Sequence, residues 1–188
     1  MGKRGVGEHH GDARRALLDA GRAVLEAGED PSLREVARRA GVSQAAPYHH
    51  FESKSGLMAA LAHDGFCELE RKLLAAGRGA EPRLGKLVKA YVRFALAHPH
   101  HYRLMFSPDL SDDPALQDVA RRTFALLVKA VGEVRSDNVL ARAREAWALA
   151  HGIVQLTVNG GWKELGGPSS PARVAAETSR AVVTLVSG

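Results

Sequence analysis

Apolar side chains return every three or four residues along almost the whole chain, and no stretch alternates in the two-residue period of a half-buried strand. This property restricts the fold to an all-α architecture. Leu17, Ala20, Gly21 and Val24 share one helical face, with Gly28 as its stop signal. Ser32-Leu33-Arg34-Glu35 has the form of a capping box, and the helix it opens turns Leu33, Val36, Ala37 and Ala40 inward before ending at Gly41. Ser43 is placed to cap a short third helix from Gln44 to about His50, and Ser53 a long fourth one through Leu57, Leu61 and Leu69. Further on, the spacing predicts a helix over 84–97, followed by a short segment from His100 to Phe106, then helices from Pro114 through Val131, over 136–164 and over 171–186. Asp113-Pro114 supplies a cap with proline in the first turn, whereas Gly152, Gly160 and Gly161 weaken 136–164 locally. The organisation expected is a flexible arm over 1–12, a compact unit over 13–58 and a larger helical body over 59–188.

Composition narrows the function classes less than the pattern narrows the fold. With 188 residues, 45% apolar and 25% charged, the chain can bury a real core and is not a disordered one. Its net charge of +5 permits a polyanionic partner without demanding one. One cysteine, Cys67, excludes an intrachain disulfide and fits a reducing cytoplasm, where the protein is expected to act. No apolar run approaches the roughly 18–20 residues that cross a bilayer, so no membrane partner is expected. The opening MGKRGVGEHHGD has basic residues but no apolar segment behind them, which is not the form of a signal peptide. Gly5-Val6-Gly7 begins like a dinucleotide loop but has His10 in place of the third glycine and no strand before it.

The stretch from Ser32 to Leu61 carries the most information. A helix-turn-helix needs a small residue where its helices cross, a glycine in the turn and an apolar plug that holds the angle; Ala37, Gly41 and Val42 meet those needs. A plain helical hairpin could show the same three residues. The longer pattern G-V-S-x-A-x-x-Y-x-H-F followed by S-K-x-x-L, here Gly41, Val42, Ser43, Ala45, Tyr48, His50, Phe51, Lys54 and Leu57, resembles the DNA-binding domain of the tetracycline-repressor (TetR) family of bacterial transcription regulators. The resemblance implies an N-terminal helix-turn-helix unit, nine or ten helices in all, dimerisation through the last two long helices and a small effector bound inside the body.

Residue chemistry over this stretch suits double-stranded DNA. Ser43, Gln44, Ala46, Tyr48 and His49 fall on or beside the outward side of the third helix. Gln44 can pair with base edges, and the small Ala46 lets the helix lie close to thymine methyls. Tyr48 and His50 can donate to phosphates, which positions the helix without reading sequence. Lys54 sits where the fourth helix begins, so its ammonium adds to the free amides and positive dipole end as a phosphate site. Arg14, with Lys3, Arg4 and Arg15, forms a basic set able to follow the backbone. Phe51 is assigned to the core. Pro47 departs from the branched apolar residue usual at that position; in the first turn it forfeits about one backbone bond.

Two stretches of the body, Pro99-x-x-Tyr102-Arg103-Leu104-Met105-Phe106 and Trp147 with His151-Gly152, resemble the ligand-binding half of a TetR subgroup named for its Trp-His-Gly residues. Trp147, His151, Val154, Gln155 and Val158 share one helical face, an apolar wall with a few polar groups of the kind a small-molecule cavity needs. Tyr91, Phe94, Phe106 and Phe124 are the aromatic residues expected to face it, giving a mostly apolar effector. Ala146, Ala150, Ile153 and Thr157 form a flatter face able to meet the last helix and a symmetry mate.

No catalytic triad, nucleophile elbow or phosphate loop occurs, so neither an enzyme nor a cofactor is expected. His98, His100 and His101 lack the helical i, i+4 spacing of a metal pair and are expected to be surface or cap residues, with no metal. The reading is a homodimeric, effector-responsive repressor that places two recognition helices in successive major grooves of a near-palindromic operator. An architectural DNA-binding dimer without an effector, and an all-α enzyme or interaction module with a plain hairpin, are the alternatives.

Overall fold

The computed structural model describes residues 6–79, 82–110 and 112–188, with residues 6–12 described by backbone alone. Among the described residues there are nine α-helices, two short 3-10 helices and no strand. The α-helices are α1 (Val6–Glu26), α2 (Leu33–Ala40), α3 (Lys54–Ala76), α4 (Arg83–Ala97), α5 (Pro99–Met105), α6 (Pro114–Gly132), α7 (Val139–Val158), α8 (Gly161–Glu164) and α9 (Pro171–Ser187). The 3-10 helices are Ala46–His49 and Pro108–Leu110. No described helix is long and apolar enough to cross a membrane.

The chain divides into two compact units. One holds the residues up to Gly65 together with His100–Leu116, and the other holds Phe66–Pro99 with Gln117–Gly188. The division falls inside α3, after Gly65, and α3 carries residues of both units. Helix α1 begins at Val6, so residues 6–12 of the expected arm have helical backbone; Lys3, Arg4 and Gly5 lie outside the described residues.

The first unit closes around Leu17, Leu18, Val24, Val36, Phe51, Leu57 and Leu61, with Val42 and Leu104 packed partly buried against them. Gly21 sits where α1 meets Leu61: a Cβ there would lie 3.1 Å from the Leu61 methyls. His101, expected at the surface, is buried and bonded to the Leu61 carbonyl. Its neighbours Tyr102 and Met105 are buried with it, because the short α5 turns that face inward.

In the second unit α4 packs chiefly on α9 and also on α7, and α7 packs on α9. Gly85 allows the first of these approaches, since Ser179 Oγ donates to its carbonyl at 3.0 Å and a Cβ would press on the same oxygen at 3.1 Å. The expected 136–164 helix is broken. Helix α7 ends at Val158, Gly160 takes φ 86, and α8 is a separate single turn. A left-handed residue cannot continue an α-helix, and glycine is the one that reaches it without strain. Ala146, Ala150 and Ile153 are buried within the unit, so that flat face is consumed internally. Val174 and Thr178 of α9 are buried too, whereas Ala181 and Leu185 are exposed.

Candidate nucleic-acid interface and effector site

The helix-turn-helix is built by local chemistry on both sides of Gly41. Ser32 Oγ accepts the Glu35 N–H at 3.1 Å and starts α2. The reciprocal half of the capping box does not form, because the Glu35 carboxylate is taken by Arg38 and Arg39. Hydrogen bonds from Arg38 and then Arg39 hold that carboxyl at about 2, far below the ordinary carboxylate range. Gly41 ends α2 at φ 68, and its N–H together with that of Val42 returns to carbonyls of the last turn. This is the left-handed cap that glycine adopts at little cost.

The recognition element that follows departs from the expected α-helix. Ala46–His49 is a 3-10 helix, preceded by a turn over Gln44-Ala45. Pro47 lies in the first turn of this element, where its missing N–H costs little. Tyr48 N–H bonds to Ala45 and His50 N–H to Pro47, the tighter i to i+3 pattern. The N-cap is Ala45, with no side-chain bond, so Ser43 does not cap this element through its hydroxyl; its carbonyl accepts from Ala46 instead. Ser43, Gln44, Ala45, Tyr48 and His49 are exposed, Tyr48 at 63%, while Ala46 and His50 are half-buried and Pro47 is buried.

Cations surround this element in different states. Ser53 Oγ accepts from Gly56 N–H at 3.1 Å and caps α3, which places Lys54 in its first turn as the sequence indicates. The Lys54 ammonium is paired with the Asp30 carboxylate. Arg14 is exposed and lies over the Phe51 ring, 5.7 Å from its centroid, and Phe51 is core as expected. Arg15 is held by Asp19 and Asp64. Arg34, on the exposed side of α2, has no ion-pair partner among the described residues. Asp30 and Ala45 were not singled out in the sequence. Asp30 acts across 24 residues and has no spacing signal, whereas Ala45 lay in the motif but was not counted as outward.

In the second unit four of the residues expected to bind an effector come together. Tyr91 Oη lies 3.0 Å from His151 Nδ1, Gln155 Nε2 lies 3.4 Å from His151 Nε2, and the Trp147 and His151 rings are 5.0 Å apart. Trp147 is 37% exposed and His151 half-buried, and burial lowers the His151 pKa. Phe94 is buried against His98, and Phe124 is half-buried on α6. Phe106 belongs to the first unit, tilted against Tyr102. An open groove of about 360 Å³ lies elsewhere in the second unit, lined by Leu73, Leu87 and Leu126 together with Arg78, Arg83 and Lys129. No group of three or more candidate metal ligands occurs among the described residues.

A glycine-hinged helix pair followed by exposed Gln44, Tyr48 and His49 has the form of a helix-turn-helix, the DNA-binding element of many transcription regulators. Residues 17–61 match the family model described as bacterial regulatory proteins, tetR family, and residues 84–183 match the tetracyclin repressor-like C-terminal domain. The chain belongs to the TetR family. It is similar to the HTH-type transcriptional activator FasR of Mycolicibacterium smegmatis, 28% identical over 154 residues that cover 79% of this chain and 70% of that one. A solved protein of unknown function from Rhodococcus sp. RHA1 is 32% identical with a TM-score of 0.77, covering 93% of each chain. A tetR-family regulatory protein from the same organism has the same fold, with a TM-score of 0.68 and 22% identity over 93% of this chain and 96% of that one.

Proposed function

We propose that the protein is a cytoplasmic, homodimeric repressor of the Trp-His-Gly subgroup that leaves a near-palindromic operator when a mostly apolar effector fills its body. The observation that carries the DNA half is the exposure of Gln44, Tyr48 and His49 just after the Gly41 turn, with Lys54 in the first turn of α3. Gln44 reads a base edge; Tyr48, His50, Lys54 and Arg14 hold phosphates; Ser43, Ala46 and His49 line the contact.

The dimer reading rests on what remains uncovered in the second unit. Ala148, Leu156, Ala181 and Leu185 are exposed on α7 and α9, and a Cβ on Gly152 would meet nothing within 4 Å. Small residues let a second copy approach closely, and a two-fold interface needs only one such self-complementary patch.

The effector reading rests on Trp147, His151 and Gln155 beside Tyr91, a partly exposed aromatic wall with a polar network. An effector there would exchange the bonds of His151 for its own. Phe94 and Phe124 are the further aromatic residues of this unit assigned to it.

The activity of the mycobacterial relative favours a second reading, in which the same contacts activate transcription. Deleting the gene and following transcription from the adjoining promoter separates the two. Loss of the protein raises transcription under the repressor reading and lowers it under the activator reading. No change, with no retardation of that promoter fragment by the purified protein, would remove both.

A further inference from the structure

Two kinds of ion pair border the recognition element. Arg39 is 27% exposed and is shared between Glu29 and Glu35, while Arg38 makes two bonds to Glu35. These pairs brace α2 and its approach. The Lys54–Asp30 pair is different: it is a single contact, with side chains 51% and 71% exposed. Such a pair is weakly held in water and exchanges readily. Lys54 lies in the first turn of α3, six residues past exposed Tyr48, and Asp30 lies in the loop between α1 and α2.

We propose that Asp30 tunes DNA affinity by acting as an internal stand-in for a backbone phosphate. In the free protein its carboxylate occupies the Lys54 ammonium, and a phosphate must displace it. This inference rests on the reading of Lys54 as a phosphate contact.

Counterion arithmetic gives the exchange a signature. A lysine that moves from solvent to a phosphate releases about one cation from DNA. When the same lysine must first leave a carboxylate, the pair it gives up is itself screened by salt and strongest when salt is low. Its loss therefore offsets part of the Lys54 contact at low salt and flattens the salt dependence. Removing the Asp30 charge therefore has two consequences: tighter binding, and a steeper loss of affinity with salt.

The test is a fluorescence anisotropy titration of the full chain with a labelled duplex that the protein itself has selected from a random pool. Wild type, Asp30→Asn, Lys54→Gln and the double variant are compared from about 50 to about 200 mM salt. Asp30→Asn is expected to bind about three- to fivefold more tightly at the low end and to steepen the log–log salt slope by less than about one unit. In the Lys54→Gln background the gain should shrink below about twofold, because the charge it released is absent. Far-UV circular dichroism checks that each variant is folded, and Asp30→Ser repeats the test with a different side chain. If Lys54→Gln weakens binding while both Asp30 variants leave affinity and slope unchanged, the inference is overturned and the Lys54 contact stands. An equal gain in both backgrounds also overturns it, since Asp30 would then act on DNA without Lys54. If Lys54→Gln itself changes nothing, the phosphate contact falls and the inference with it.

Discussion

His101 donates its Nε2 proton to the main-chain carbonyl of Leu61 at 2.7 Å. A carbonyl can only accept, so the proton sits on Nε2. Burial, the largest influence, lowers the pKa of this ring from its ordinary 6.5, against the raising effects of the Leu61 bond and of Glu26 and Asp64. A histidine with a lowered folded-state pKa takes up protons more readily when unfolded, so stability rises with pH in that window. The stability it supports is therefore complete above about 6.5 and lost as pH falls through the lower folded value. Urea unfolding at several pH values should show this decline on the acid side, and His101→Leu should remove part of the slope. An unchanged slope would contradict the assignment.

Gly65 faces the same ring. A Cβ there would stand 2.8 Å from His101 Nε2 and 2.8 Å from Met105 Sδ, closer than real contacts allow. Gly65→Ala should cost about 1–3 kcal/mol in the first unit through overpacking. Equal urea midpoints for variant and wild type would show that α5 can shift freely.

The parts of the fold legible in the sequence are those set by local chemistry. Ser32, Gly41, Ser53, Asp113-Pro114 and Pro171 mark real helix ends, because caps and prolines act within a turn of themselves. The 3-10 form of Ala46–His49 is not legible in the sequence, since a proline in the first turn suits either kind of helix. The break after Val158 was signalled by Gly160 but read as a local weakness. Buried His101 and the Lys54–Asp30 pair were not legible, since each depends on residues brought together by the fold from 40 and 24 positions away. Ala181 and Leu185 continue the spacing of buried Val174 and Thr178 yet are exposed. The helical wheel gives direction, but not how wide a stripe α4 and α7 cover.

Gln44 is exposed at the turn that leads into the recognition element. As a base reader, Gln44→Ala should lose about 1–3 kcal/mol at one operator position and relax preference there. A panel of single-base operator variants measures this. A uniform loss across the panel would make Gln44 a backbone contact instead.

Leu185 is 39% exposed on α9, whereas Val182 one turn earlier is fully buried. Leu185→Asp should turn a folded dimer into a folded monomer, and Val182→Asp should unfold the second unit. Sedimentation at several concentrations distinguishes the two outcomes. A fully dimeric Leu185→Asp protein would place the interface elsewhere.

Trp147→Ala would disturb packing as well as any effector contact, so the polar partners are the better probes of the effector site. His151→Ala or Gln155→Ala removes one member of the network beside Tyr91. Either should blunt the thermal shift given by an apolar organic molecule that releases wild-type protein from DNA. Linkage requires the operator to weaken that molecule's binding by the same factor. Thermal shifts unchanged in both variants would move the site away from α7.

Sequence-selective DNA binding by this recognition face is the central claim, and a specificity ratio tests it most directly. Affinity for a duplex selected by the protein is measured against a scrambled duplex of the same length across a salt titration. The account predicts a preference of about 10³ or more for the selected duplex. It also predicts affinity for both duplexes that falls with salt, and a ratio reduced by Gln44→Ala. Equal affinity for the two duplexes, or binding to neither at low salt, would contradict it.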